Sequence, residues 1–130
     1  MSTYPYSRDI IAPGKRLYSD RVTGQSVLTG QSSVVDVETS GSSRLTVQGD
    51  LTGAAIGDLA ITVQPYLEDN ITLSNVVLTP VQAPANVLGG GHVSSYAEYD
   101  ITGLGRCRIL AKNNNAGTQT LGLSWRCSGI

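Results

Sequence analysis

The side chains that could do chemistry are few and set apart. His92 is the one histidine, placed directly after Gly89-Gly90-Gly91. Cys107 and Cys127 are the only cysteines, and both fall on the apolar side of alternating segments, away from any substrate. No Gly-x-Ser-x-Gly elbow occurs. Two carboxylate pairs invite a glycosidase reading. Glu68-Asp69 falls on a polar turn and faces solvent. Glu98 and Asp100 share a strand face about 7 Å apart. They read more simply as outer-face ion pairs with Arg106 or Arg108 on the next strand. Asp50 and Asp58 flank a turn-like stretch without a calcium-loop pattern, and the triple glycine is not followed by Gly-Lys-Ser/Thr. The expectation is a chain that is not an enzyme, with no cofactor, metal or small-molecule substrate.

Tyrosine is the one aromatic type in number, six residues beside a single Trp and no Phe. Tyr4, Tyr6 and Tyr18 stand near Arg8, Arg16 and Arg21 in a segment broken by Pro5, Pro13 and Gly14. Tyr and Arg are enriched where proteins bind one another. Such a segment can also stack and pair with nucleic acid. Asp9, Asp20, Ile10 and Ile11 in the same stretch favour a protein surface instead. Residues 1–26 are thus read as an extended, interface-forming arm, the alternative being that they fold back as an edge strand. Tyr66 and Tyr96 carry a second possibility, an exposed aromatic platform for carbohydrate.

The elements that would position these residues are strands. Residues 32–38, 44–49, 59–66 and 93–101 alternate apolar and polar side chains, the mark of strands with one buried face. Leu45, Val47, Ile61 and Val63 are expected inward. Residues 71–79 are β-branched with less regular alternation, and 80–88, with two prolines, read as an edge segment or loop. The segment 104–127 is read as a hairpin forming the floor of the core. Cys107, Ile109 and Ala111 share one face of its first strand; Leu121, Leu123, Trp125 and Cys127 share one of its second, with a turn at Asn113-Asn114-Asn115-Ala116-Gly117. In that register the cysteines lie roughly 13 Å apart at ~3.4 Å per residue. A disulfide needs Cα atoms within about 7 Å, so two buried free thiols are expected. The whole predicts an all-β antiparallel β-sandwich over 27–130, with jelly-roll and immunoglobulin-like strand orders both open.

Composition narrows the class further. The chain has 130 residues and a net charge of -1, with charged residues at 15% against roughly 25% in average soluble domains. Nine scattered Lys and Arg residues do not make the basic stripe of a nucleic-acid binder. Low charge suits faces covered by partners; it also suits small Ser-, Thr- and Gly-rich sandwiches. No apolar run approaches the roughly 18 residues of a membrane span. Residues 1–9 lack the basic and apolar regions of a signal peptide, so synthesis in a cytoplasm without secretion is expected.

With the strands laid out, residues 32–127 resemble the small β-sandwich decoration, or cement, proteins that tailed bacteriophages carry on their capsids. The stretches that carry the resemblance are Leu-Thr-Val-Gln-Gly-Asp-Leu-Thr-Gly from Leu45, Leu-Ala-Ile-Thr-Val-Gln-Pro-Tyr from Leu59, and Ile101 to Thr120. The resemblance implies a non-enzymatic virion protein, homo-oligomeric, bound to the major capsid protein and stabilising the shell. In that picture Tyr4, Tyr6, Arg8, Arg16, Tyr18 and Arg21 reach a capsid subunit or a sister copy. The other reading is a carbohydrate-binding or adhesion module of a phage tail or surface structure.

Overall fold

The computed structural model describes residues 16–53 and 55–129, the side chains of 16–20, 22 and 82–85 excepted. Eight strands follow one another: β1 (Arg16–Val27), β2 (Ser32–Glu38), β3 (Arg44–Thr52), β4 (Leu59–Pro65), β5 (Gln82–Gly89), β6 (His92–Asp100), β7 (Arg106–Asn113) and β8 (Gln119–Ser128). No helix occurs among the described residues. A five-stranded sheet runs β1-β8-β3-β6-β5, and a three-stranded sheet runs β2-β7-β4. All pairings are antiparallel. The chain is therefore an all-β sandwich. In an immunoglobulin fold the first two strands are neighbours in one sheet. Here β1 to β4 alternate between sheets and β8 returns between β1 and β3, as in a jelly roll, except that β5 joins the large sheet beside β6 instead of the small one beside β4.

The core is filled by alternate residues of both sheets. Leu45, Val47, Val63, Ile109, Leu121, Leu123 and Trp125 are all buried as expected, while Ile61 is half-buried and packs against the same cluster. Gly49, inward on β3, leaves the space that the small sheet occupies. A Cβ there would stand 3.0 Å from both Ile61 Cδ1 and Leu59 Cδ2.

Three expectations are corrected. First, β7 and β8 are not a hairpin: they belong to different sheets. Their inward faces are as the alternation implies, but they meet through the core instead of lying side by side. The reason is Asn113, which is fully buried. Its amide Nδ2 donates to the carbonyls of Val27 (2.8 Å) and Gly117 (3.0 Å), and its Oδ1 accepts from the backbone N–H of Asn115 (2.8 Å). This asparagine run anchors a crossover between sheets rather than a tight turn.

Second, residues 71–79 are not a named strand. They run along the open edge of β4 with one bridge, Tyr66 to Leu73, and backbone bonds from Ser74 to Pro65 and from Leu78 to Val63. Residues 82–89 form edge strand β5, in keeping with the edge reading of 80–88. Gly90 and Gly91, with φ of 59° and 79°, make the two-residue turn into β6. Both centres of such a turn need positive φ, so the glycines close a hairpin.

Third, the stretch assigned to the arm is divided. Arg16–Val27 pairs along β8 from Ser128 to Gln119 as the edge strand of the large sheet. Its alternation is hidden in the sequence by two register shifts, at Arg16/Tyr18 and Val22/Gln25, the second around Gly24 at φ 65°. Bulges of this kind bend an edge strand and re-aim its side chains.

Candidate functional site

The outer face of the large sheet carries a polar groove built from cross-strand rows. In an antiparallel ladder, residues directly opposite share a face. Arg21 pairs with Ser124, Ser124 with Gln48, and Gln48 with Tyr96, so one row crosses four strands from β1 to β6. In the next row Gly122 pairs with Asp50 and Asp50 with Ser94. Thr23, within the β1 register shift, lines the same depression as Gly122. Gly122 has no side chain, and the space it leaves becomes a depression of about 250 Å³ lined by Arg21, Thr23, Gln48, Asp50 and Ser124.

Asp50 is held in place from one side. Ser94 Oγ donates to its Oδ1 at 2.8 Å, and His92 Nδ1 lies 2.8 Å from its Oδ2. His92 opens β6 on an ordered strand. Ser, His and Asp meet here, but serine and histidine both bond the carboxylate, so no base is set against the hydroxyl and the trio is not a nucleophilic triad. Sequence reasoning set Asp50 aside for want of a calcium-loop pattern and took His92 as a lone histidine; only the β3–β6 register brings them together.

The small sheet carries a second polar cluster. Tyr66 is buried, and its hydroxyl donates to Asp36 Oδ1 (2.8 Å) while accepting from Arg108 (3.0 Å). Arg108 Nε also donates to Asp36 at 2.8 Å. The Arg106 guanidinium lies 4.7 Å over the Tyr66 ring and donates to the Asn70 carbonyl at 3.0 Å. Its Nε stands 3.3 Å from Glu38 Oε2 as an ion pair, without the alignment of a hydrogen bond. The hydrogen bond from Arg108 is the main reason the Asp36 carboxyl is held below its ordinary pKa; Tyr66 and the field of Arg106 add to this, and partial burial opposes it. This network fastens the 67–72 loop to β7 and β2.

Tyr66 and Tyr96 consequently cannot form one platform. They belong to the outer faces of opposite sheets, and Tyr66 is covered by two arginines. The cross-strand pairs expected for Glu98 and Asp100 also differ: β6 neighbours β3, so Asp100 faces Arg44, while Arg106 and Arg108 face Asp36 and Glu38 of β2. Cys107 and Cys127 are free and fully buried, one in each sheet. Burial pushes the Cys127 thiol up to about 11 and raises that of Cys107. Such thiols are inert at neutral pH. Of the arm residues, Tyr4, Tyr6 and Arg8 lie outside the described residues. Arg16 and Tyr18 sit in β1 with undescribed side chains, and Arg21 is exposed on the groove wall.

The third feature is apolar. Leu67, Ile71, Val76, Val77 and Val81 are exposed along the segment that borders β4, Ile71 to 80%. Val87 and Leu88 of β5 are exposed as well. Val81 donates its N–H to Glu98 of β6, so this segment and β5 lie on the same flank, away from β1 and β2. Leu88 pairs with inward-facing Val93, yet it is 44% exposed because the three-stranded sheet stops short of β5.

No protein-family model matches the chain, and no curated protein is significantly similar to it. Among solved structures it is similar to the SPBc2 prophage-derived protein YomS, with a TM-score of 0.47 and 15% identity over 85% of this chain and 96% of that one. Similarity at that level carries neither fold nor role across. Among the described residues no helix is long and apolar enough to cross a membrane.

Proposed function

We propose that this chain is a non-enzymatic structural protein of a virion, of the capsid-decoration type. It would bind the major capsid protein and sister copies of itself. The observation that supports this reading most is the apolar flank of residues 67–81 and β5. Exposed apolar residues scattered singly are ordinary, but a concentration on one side marks an interaction surface. The low charge of the chain agrees with a protein whose faces are covered. The resemblance of residues 32–127 to phage decoration proteins supplies the partner class. Two features of the polar groups support the non-enzymatic reading. Asp36, Arg106 and Arg108 are bonded into the small sheet, and both thiols are sealed in the core.

The test is co-sedimentation with capsid shells and light scattering of the free protein. The double variant Val76→Asp/Val77→Asp should stay folded and lose shell binding by about tenfold or more. Deleting residues 1–15, which leaves β1 whole, reports on the arm separately. Shell binding unchanged in both variants would falsify the reading.

A further inference from the structure

We propose that the groove on the outer face of the large sheet binds a single neutral sugar ring. This goes beyond the structural role above and uses a different set of residues. Its walls offer a guanidinium (Arg21), a carboxylate (Asp50), an amide (Gln48) and two hydroxyls (Thr23, Ser124) around the bare backbone of Gly122. Among the described lining residues one cation stands with one anion, which gives no net attraction for a polyanion and argues against nucleic acid or phosphate. The mix of groups that only donate, only accept, or do both is what a ring of vicinal hydroxyls requires, since each hydroxyl both donates and accepts. Asp50 is fixed before any ligand arrives. Ser94 and His92 take two of its roughly four lone-pair sites, leaving the others for a ligand. That is the preorganisation that lets weak polar contacts yield binding.

The row continues to Tyr96, the cross-strand neighbour of Gln48 and half-buried on the same outer face. An aromatic ring beside polar groups presents an apolar body for the C–H face of a sugar. The volume of about 250 Å³ lies just under the roughly 300–1,000 Å³ of pockets for drug-sized ligands, which matches one ring and not an extended chain buried along its length. The carbohydrate function that the sequence attached to Tyr66 and Tyr96 together is thereby assigned to Tyr96 with a different set of partners.

The experiment titrates the isotopically labelled protein with D-glucose, D-galactose, D-mannose, N-acetyl-D-glucosamine and, separately, inorganic phosphate, following backbone amide shifts. At least one sugar should produce saturable shifts at Arg21, Gln48, Asp50, Ser94, Tyr96 and Ser124, and phosphate should not. Gly122→Val fills the groove with a residue suited to a strand and should weaken binding about tenfold or more. Asp50→Asn keeps the shape and should weaken it as well. The proposal is overturned if no sugar shifts the groove of the folded protein, if shifts fall elsewhere, if phosphate alone binds, or if the Gly122→Val protein binds as the parent does. Capsid shells play no part in this titration, so its failure leaves the decoration reading standing.

Discussion

At the scale of residues, the polar groups that looked capable of chemistry prove to be held by one another. Asp36 is the clearest case. Its carboxyl titrates below 3.8, its ordinary value, chiefly because Arg108 donates to it. A carboxylate whose folded pKa lies below its unfolded one adds stability above the unfolded value and loses it as pH falls through the folded value. Asp36→Asn should therefore lower stability at neutral pH by about 1–2 kcal/mol. The deficit should shrink as the solution is acidified below the ordinary carboxylate range. Thermal melts of parent and variant across that range measure it, and a constant difference at every pH would contradict the assignment. None of this could be read in the sequence, because Asp36, Tyr66, Arg106 and Arg108 come from three separate stretches. Their meeting depends on which strands are neighbours, and alternation does not report neighbours.

The same distinction explains the elements. Period-two patterning names the buried face of a strand, since side chains alternate regardless of partner. Every core residue expected from that pattern is buried or packed against the core. Pairing is a different matter: β7 and β8 look like a hairpin in sequence because both alternate and an asparagine-glycine run joins them. Hydrogen bonds from buried Asn113 decide otherwise, and a short polar side chain gives no sign in sequence of what it will bind. β1 was hidden for a third reason, because its bulges break the period. The groove was illegible for the same causes, since it depends on register across β1, β8, β3 and β6. Gly49 offers a test of how the two sheets are fitted. Gly49→Val introduces a branched side chain where Ile61 and Leu59 already approach to 3.0 Å of the Cβ position. The expected cost is about 1–3 kcal/mol, read by urea denaturation as a lower midpoint with unchanged slope.

For the whole molecule, the arrangement separates two roles. The large sheet presents its polar groove outward, while most of the exposed large apolar residues gather on the flank where the chain passes from β4 to β5, with Leu28, Val34 and Ile56 exposed elsewhere. The edge position of β1 sets where the chain can be shortened. Removing residues 1–15 leaves the sheet complete and should leave the circular dichroism spectrum and thermal midpoint near those of the parent. Removing residues 1–24 strips most of β1 from β8, exposing a new, long, flat edge, and should give a protein that associates or precipitates in light scattering. Equal behaviour of the two truncations would mean that β1 adds little to the sandwich. The place of β8 also has a temporal side. It is the eighth of the described strands in chain order, yet it stands between β1 and β3 and is hydrogen-bonded to both. During synthesis, β1 and β3 emerge early and wait without their common neighbour, with Leu45, Val47 and Leu51 still uncovered on one side. The large sheet can close only after residues 119–128 have left the ribosome. Closure of the sandwich must then wait for β8, and nascent chains halted before that point are the species that a cell's chaperones would have to hold.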